Sequence, residues 1–152
     1  MEIDSARTED AEPLTAIFTS ARRAAMPWLP ELHSEEEDRA FIGERVMREC
    51  DVLVARREGR SAGFLALNDD MVEHLYVVPD DQRQGIGSAL LAAAKAKRPD
   101  GLRAWVFQRN AGAIAFFARH GFREVMRTDG TDNEEREPDV LLSASRIASA
   151  DS

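Results

Sequence analysis

A four-residue spacing of apolar positions is the clearest hydrophobic pattern in the first third of the chain. Ile42, Val46 and Cys50 follow this spacing, which places them on one face of a helix. Ser34 precedes them and stands three residues before Glu37, the arrangement of a capping box at a helix start. The pattern therefore predicts a helix that begins after Ser34 and buries this stripe. Cys50 is then a small core residue rather than a nucleophile, because nothing beside it in the sequence lowers the pKa of its thiol.

An earlier helix is predicted from the character of its first turn. Thr8 belongs to the residue types that cap helices, and acids in a first turn favour the positive end of a helix dipole. The acids that follow Thr8 are Glu9, Asp10 and Glu12. The helix should run to about Ala25, before Pro27 and Pro30 break the chain. Residues 2–6 form a weak opening strand ahead of it.

From Asp51 onward the apolar residues fall in short runs of strand-forming residues. Such runs, separated by Gly, Pro, Asn and Asp, predict strands at residues 52–55, 61–67, 71–78, 102–107, 122–127 and 140–143. Helices are predicted at residues 85–97 and 110–120, the second capped by Asn110 and ended by Gly121. This order predicts an α/β (α+β) fold with a mixed, mostly antiparallel sheet of six to seven strands and helices on both faces.

Length and composition are those of an ordinary globular domain. The chain has 152 residues, of which 43% are apolar and 32% charged, so we expect a single domain over residues 1–152. Even a long apolar stretch such as residues 89–94 is far shorter than the roughly 20 residues of a membrane span, and the start lacks a signal region. A single cysteine indicates a reducing compartment. We therefore expect a cytoplasmic protein without a membrane segment.

The charge balance bears on the choice of partner. Twenty Lys and Arg against 28 Asp and Glu give a formal net charge of −8, which disfavours a sequence-independent grip on nucleic acid. The same balance suits a cationic small ligand, or simply solubility. We expect no nucleic-acid partner and leave a homodimer open.

The segment from Gln82 to Ser88 carries the most specific chemical signal. It lies between a predicted strand and a predicted helix, and Gly85 and Gly87 let its backbone approach an anion. N–H groups at a helix N-terminus point outward and the helix dipole favours negative charge there, so the loop is suited to hold phosphate. A dinucleotide-binding loop needs glycine in place of Leu90, and a P-loop needs Lys where this chain has Ser88. Both alternatives fail on these residues.

Together with its surroundings, the loop resembles the pyrophosphate motif of the GNAT-type acyl-CoA N-acyltransferases. The match consists of Leu75-Tyr76-Val77-Val78-Pro79 followed by Gln82-x-x-Gly85-x-Gly87. A second family motif is matched by Asn110, Ala111, Ala115, Phe116, Phe117, Gly121 and Phe122. Within the family the chain is similar to small bacterial acetyltransferases with a Met-Pro-Trp-Leu-Pro stretch, here residues 26–30, and an Asn-Glu-Glu-x-Glu-Pro-Asp stretch, here residues 133–139.

The resemblance implies a GNAT fold and an enzyme that transfers an acetyl group from acetyl-CoA to a primary amine of a small molecule or peptide, by direct attack in a ternary complex. The alternative is a CoA-binding sensor or interaction module with little catalytic activity. The cofactor-binding residues that the resemblance implies are Tyr76, Val77, Val78, Gln82, Arg83, Gln84, Gly85, Ile86, Gly87, Ser88, Asn110, Phe116 and Phe117.

Glu73 is the expected general base. It lies four residues before Val77 on the strand that leads into the site, where many relatives carry a catalytic carboxylate. The resemblance also implies that this strand splays from its neighbour and that a bulge frees backbone N–H groups near Val77 for the acetyl oxygen. His74 points to the opposite face under strand alternation, so we expect a surface or packing role for it. For His120, in the last turn of its helix, we expect a structural role.

Phe117 departs from the family pattern. Many relatives have a tyrosine at this place, whose hydroxyl protonates the departing thiolate, and this chain has no hydroxyl there. Tyr76 or solvent is left to supply the proton. Solvent is adequate in principle, because a thiol has a pKa of about 8.5 and its thiolate is a tolerable leaving group.

The acceptor side is expected in two segments, the connection between the first two helices and the late acidic stretch. The candidate substrate-binding residues are Trp28, Leu29 and His33. The late acids are Glu134, Glu135, Glu137 and Asp139, and acids beside an apolar wall would suit a primary amine. A Pro-Trp-Leu-Pro corner is also typical of simple packing, and a glutamate-rich loop of a solvated surface. We expect these plainer roles.

Overall fold

A computed structural model describes residues 1–82 and 84–145 of the chain. The strands are β1 Glu2–Ser5, β2 Asp51–Arg57, β3 Arg60–Asn68, β4 Met71–Val77, β5 Gly101–Phe107, β6 Arg123–Thr128 and β7 Asp139–Ser145. The helices are α1 Ala11–Ala25, α2 Glu35–Ala40, α3 Met47–Glu49, α4 Ile86–Lys97 and α5 Ala111–Arg119. A π-helical segment, Phe41–Val46, joins α2 to α3, and short 3-10 turns lie at Thr8–Asp10 and Pro79–Asp81. None of the helices in this part of the chain is long and apolar enough to cross a membrane.

The strands form one sheet in the order β1-β2-β3-β4-β5-β7-β6. Neighbours pair antiparallel except β4 and β5, which run parallel. Within the described residues, the ladder of β4 and β5 consists of Met71 facing Arg103 alone. Beyond this point the two strands separate and the sheet opens between them. The predicted mixed, mostly antiparallel sheet is confirmed.

Helices cover both faces of the sheet, as predicted. On one face α4 and α5 bury Leu90 and Phe117 in a core shared with Leu65 of β3. On the other face α1 and the segment from α2 to α3 pack against the sheet, where Ile42 shares a core with Phe64 of β3. Neighbouring side chains of β3 therefore enter different cores, as the alternation of a strand requires. The sheet is the middle layer, so the gap between β4 and β5 connects its two sides.

The second helix begins with the predicted capping box. Ser34 Oγ accepts a hydrogen bond from the Glu37 N–H at 3.1 Å, and Glu37 Oε1 accepts one from the Ser34 N–H at 3.0 Å. Ile42 and Val46 of the predicted stripe are buried, and Cys50 is half-buried at its end. Burial raises the pKa of the Cys50 thiol to about 11. The thiol therefore stays protonated, in agreement with the predicted packing role.

The first helix begins later than predicted. Thr8 lies within the 3-10 turn, and α1 starts only at Ala11. The prediction that Thr8 caps this helix is wrong, because the carboxylate of Asp10 binds the local backbone instead and accepts from the Arg7 N–H at 2.7 Å. Asp10 is also bound by Arg56 of β2. This tertiary contact joins the start of α1 to β2.

Candidate active site

A cavity of about 760 Å³ lies where β4 and β5 separate. Its walls come from both strands, from α1 and the α2 region on one side of the sheet, and from α5 on the other. The strand and α5 residues that line it include Glu73, His74, Tyr76, Trp105, Phe107, Asn110, Ala113 and Phe117. The cavity therefore extends through the gap in the sheet and joins the predicted cofactor side to the predicted acceptor side.

The pairing register of β3 and β4 shifts at Glu73. His74 faces Ala66, whereas Val72 faces Leu67, so Glu73 is the extra residue of a β-bulge. Its side chain is exposed at the cavity. Within residues 1–82 and 84–145 it has no hydrogen-bond or ion-pair partner. The bulge thus presents an unpaired carboxylate to the gap between the strands, and the role of this carboxylate as the base stays a prediction.

The predicted bulge near Val77 is wrong. Val77 faces Gly63 in unbroken register. A Cβ atom on Gly63 would lie only 2.9 Å from the carbonyl oxygen of Tyr76, so glycine allows the two strands to approach closely at this end. The edge of β4 near Val77 is freed by the separation from β5 and not by a bulge.

An aromatic wall borders the cavity on the α1 side. The ring of His74 meets Phe18 and Phe41 edge-on, with centroids 5.8 and 5.5 Å apart, and lies nearly parallel to Tyr76. Burial, together with the charge of Arg22, lowers the pKa of His74 to about 4. The imidazole is therefore neutral near pH 7, and the predicted packing role agrees with these contacts.

Tyr76 projects to the same side as His74. Its ring packs edge-on against Phe18 at 5.4 Å, and burial raises the pKa of its hydroxyl despite the nearby charge of Arg22. The predicted phosphate loop leads into α4, on the other face of the sheet. The side chain of Tyr76 therefore borders the acceptor half of the cavity, so any contact with the cofactor falls to its backbone.

The predicted phosphate loop leads into α4 as expected. Gly85 caps the helix with φ of +80°, and a Cβ atom there would meet nothing within 4 Å. The Ala89 N–H donates to the Gly85 carbonyl at 3.0 Å. This is the first bond of the helix, so the N–H groups of Ile86, Gly87 and Ser88 have no partner within the helix and point out of its N-terminal end. An open glycine beside unobstructed amides fits the diphosphate of CoA.

The remaining loop residues have distinct surroundings. Gln82 donates from Nε2 to the Val77 carbonyl at 3.3 Å and so joins the loop to the end of β4. Ile86 is buried, so its side chain anchors the helix and only its backbone can face a ligand. Val78 donates its N–H to Ala62 at 2.8 Å. Gln84 is exposed, and the predicted contact of Arg83 with the cofactor lies outside the described residues.

The α5 segment borders both the loop and the cavity. Asn110 Oδ1 accepts from the Ala113 N–H at 3.2 Å, which confirms the predicted helix cap. The ring of Phe116 lies 3.4 Å from where a Cβ atom of Gly87 would be. Phe117 is 6% exposed and packs against Phe122 at 4.8 Å between ring centroids. The ring of Phe116 on α5 therefore lies beside the first turn of α4, where a Cβ atom at position 87 would make an ordinary van der Waals contact.

The late acids are paired, so the prediction of a merely solvated loop is wrong. Glu134 pairs with His33 at 2.6 Å, Glu135 with Arg22 at 2.9 Å and Glu137 with Arg109 at 3.2 Å. Asp139 accepts the hydroxyl proton of Thr128. Glu134 and Glu135 also line the cavity. These acids attach the late segment to α1 and to the connection after it, where the segment forms part of the acceptor wall.

Of the predicted acceptor residues, one lines the cavity and the other two pack behind it. His33 lines the cavity, and hydrogen bonding to Glu37, aided by the charge of Glu134, raises its pKa. Trp28 lies 4.3 Å beneath the Arg109 guanidinium and meets the cavity residue Phe107 edge-on at 6.1 Å. Leu29 is 8% exposed. His33 thus reaches the cavity itself, whereas Trp28 and Leu29 occupy the packed corner behind it.

Asp38 is a cavity residue that the sequence reasoning missed. It lines the cavity, is half-buried and has no hydrogen-bond or ion-pair partner for its side chain in the described part of the chain. Burial raises the pKa of its carboxyl. The signal was available, because Asp38 continues the four-residue stripe of Ile42 and Val46 by one step toward the N-terminus. A charge on the buried face of a predicted helix indicates a site or an ion pair.

Comparison with known proteins decides the family. Residues 48–124 match the acetyltransferase (GNAT) domain. The chain belongs to the GNAT acetyltransferase family. This GNAT enzyme is 29% identical over 135 residues to the peptidyl-lysine N-acetyltransferase YjaB of Escherichia coli K12, covering 87% of this chain and 88% of the relative. It is 27% identical over 133 residues to YjaB of Salmonella typhimurium LT2, covering 87% and 90%.

Comparison with solved structures supports the same family assignment. The solution structure of apo-form YjaB from Escherichia coli superimposes with a TM-score of 0.79 at 25% sequence identity, covering 94% of this chain and 96% of that one. The predictions of the family, the fold and an acetyl-CoA-dependent N-acetyltransferase acting on an amine are therefore confirmed.

Proposed function

We propose that this GNAT enzyme acetylates the ε-amino group of lysine in a peptide or protein, and that residues 1–152 form its single catalytic domain in the cytoplasm. The two YjaB relatives are named peptidyl-lysine N-acetyltransferases, and the single, half-buried cysteine suits a reducing compartment. Limited proteolysis and cell fractionation test the domain and the location. The identity of the acceptor rests on the cavity.

The charge of the cavity favours a cationic acceptor. Its acidic lining residues are Glu37, Asp38, Glu44, Glu73, Glu134 and Glu135, against Arg22 and Arg45 as the basic ones. Glu135 is neutralised by Arg22, and Glu37 and Glu134 share His33. Within the described residues the side chains of Asp38, Glu44 and Glu73 remain unpaired. Three unpaired carboxylates around one cavity attract a protonated amine before it is deprotonated for attack.

Asp38 is the observation that carries this proposal. A half-buried carboxylate without a partner has lost part of its hydration and gained no ion pair in exchange, which is why the pKa of its carboxyl is raised. A lysine ammonium in the cavity would supply the missing partner. The long, unbranched lysine side chain also suits the aromatic wall of Phe18 and Phe41, because its methylene groups are apolar.

The residues of the chain divide the reaction between them. Bound acetyl-CoA supplies the acetyl group as a thioester. The amides between Gln82 and Ser88 hold its diphosphate at the start of α4. The bound ammonium first loses a proton to solvent, and Glu73 then accepts a second proton from the lysine nitrogen as the new N–C bond forms and the C–S bond breaks. Water protonates the thiolate, since Phe117 has no hydroxyl and the side chain of Tyr76 borders the acceptor half of the cavity.

Thiol release from acetyl-CoA across an amine panel tests the acceptor. The panel contains a lysine peptide, a matching peptide that lacks the lysine and whose only amine is at its N-terminus, a polyamine, and a neutral aromatic amine. We expect the lysine peptide to give the highest kcat/KM. Asp38→Asn should raise the KM for this peptide about tenfold, the effect of losing about 1.4 kcal/mol of binding, while the KM for acetyl-CoA stays unchanged.

Glu36→Gln is the matched control, because Glu36 is an exposed acid on the same helix. An unchanged peptide KM in Asp38→Asn would contradict the assignment of Asp38. A higher kcat/KM for the neutral amine would contradict a cationic acceptor altogether.

A further inference from the structure

His120 connects the end of α5 to the first turn of α4. Its Nε2 lies 3.0 Å from the hydroxyl oxygen of Ser88, the last residue of the phosphate loop. Its ring also packs against Phe116, with centroids 4.8 Å apart, and the Phe116 ring lies 3.4 Å from where a Cβ atom of Gly87 would be. Ser88 is therefore hydrogen-bonded to the residue that follows α5, and the ring of Phe116 on α5 lies beside the neighbouring loop position.

The hydrogen bond between His120 and Ser88 can run in either direction. A hydroxyl has one proton to donate and lone pairs to accept with, and a neutral imidazole carries its single proton on either nitrogen. If Nε2 carries the proton, it donates to Ser88 Oγ, and the serine proton is free for a ligand. If Nε2 is bare, Ser88 donates to it and presents only lone pairs to the loop. The position of one proton therefore decides whether Ser88 attracts or repels an anion.

Charges around His120 keep its imidazole neutral in the free protein. Burial lowers the pKa of His120, and the charges of Lys95 on α4 and Arg119 on α5 lower it further. Lys95 Nζ also binds the His120 carbonyl oxygen at 2.5 Å. Both tautomers are thus accessible near pH 7, and an anion at the loop favours the one in which Nε2 donates.

We propose that His120 is a positioning residue for the cofactor loop: its Nε2–H donates to Ser88 Oγ and so directs the serine hydroxyl proton toward the diphosphate of CoA. The inference rests on the proposed assignment of the loop to the diphosphate. It gives His120 a role in cofactor affinity that its position just after α5 does not itself reveal, and it leaves the acetyl transfer step untouched.

A double-mutant cycle on CoA binding, measured by calorimetry, tests the connection. Ser88→Ala and His120→Ala should each weaken CoA binding about tenfold, the scale of one hydrogen bond to a charged group. The double variant should be no weaker than either single one, because the two side chains act through one bond. His120→Gln should restore most of the affinity, since its amide nitrogen can donate to Ser88 in the same way. Ser20→Ala is the matched control, since the Ser20 hydroxyl bonds the Ile17 carbonyl on α1.

Nitrogen-15 NMR of the histidine rings shows directly which ring nitrogen of His120 carries the proton. On addition of CoA, the His120 Nε2 signal should move to the protonated range. Additive losses in the cycle, unchanged affinity in His120→Ala or a bare Nε2 in the complex would each overturn the role of His120. If Ser88→Ala and Gly85→Glu both bind CoA as well as the wild-type protein does, the assignment of the loop to the diphosphate fails. This outcome separates the failure of the loop assignment from the failure of the role of His120. Thermal unfolding without CoA shows whether His120→Ala is folded, and His120→Gln decides the question if it is not.

Discussion

The guanidinium of Arg56 on β2 binds both carboxylate oxygens of Asp10 at the start of α1. Nη1 donates to Oδ1 at 3.0 Å and Nη2 to Oδ2 at 2.8 Å. Asp10 is 5% exposed, and Arg56 Nε also binds Asp4 on β1 at 3.0 Å. One arginine thus joins the first strand, the first helix and the second strand far from the cavity.

Asp10→Asn should lower the free energy of unfolding by about 3 kcal/mol, because removing one partner leaves the other charge buried and uncompensated. Asp4 still contacts Arg56, which is why we expect the lower end of the range for broken buried pairs. Urea denaturation at pH 7 measures the change. Asp132→Asn, at an exposed position, is the control and should be neutral.

The same pair predicts how acid affects stability. Hydrogen bonds from Arg56 hold the pKa of Asp10 below its ordinary value. A group whose pKa is depressed by folding stabilises the protein above its unfolded pKa, about 3.9, and loses that contribution as the pH falls through the folded pKa. The unfolding free energy should therefore drop more steeply below pH 4 in the wild type than in Asp10→Asn. Parallel pH profiles for the two proteins would contradict this.

Gly85→Glu should abolish CoA binding. The carboxylate would repel the diphosphate, and a side chain at φ of +80° is strained even where space is open. Gly59→Glu is a matched control, because Gly59 has a similar φ of +77° and equally open surroundings, but lies in the turn between β2 and β3. Calorimetry should show undetectable binding for the first variant and wild-type affinity for the second. Equal affinities would place the diphosphate elsewhere.

Glu73→Gln should lower kcat about a hundredfold while CoA affinity stays unchanged, because a base acts on the amine and the cofactor is bound by backbone amides on the other side of the sheet. Steady-state kinetics over a range of pH, with calorimetry of CoA, measures both. Glu58→Gln, in an exposed turn, controls for the loss of one charge. Full activity at every pH in Glu73→Gln would assign proton removal to water.

Local signals in the sequence were sufficient where a feature depends on neighbouring residues. The capping box of Ser34, the cap at Asn110 and the glycine at the start of α4 form as the sequence predicts. The bulge at Glu73 depends on how β3 and β4 pair, and the Arg22–Glu135 ion pair joins residues far apart in the chain. These features follow from tertiary packing, which the spacing of residues does not encode.

Phe117→Tyr tests the residue at which this chain departs from the family pattern. Phe117 lines the cavity between Asn110 and the aromatic contact with Phe122. Because Phe117 borders the cavity, we expect the added hydroxyl to be accommodated and the protein to remain folded with a small loss of stability. A hydroxyl there could protonate the departing thiolate in place of water, and we expect kcat to rise severalfold with acetyl-CoA.

Thioesters with different leaving thiols show whether a rise in kcat comes from protonation of the thiolate. If the hydroxyl acts on the thiolate, the gain should shrink with thioesters whose leaving thiols have a lower pKa, because these thiolates need less help to leave. A gain that is the same for every thioester would indicate a change in amine binding or product release. A large loss of activity in a stable, CoA-binding Phe117→Tyr protein would contradict the expectation that this ring lies near the departing thiolate, and with it the assignment of the segment from Asn110 to Phe122 to the cofactor.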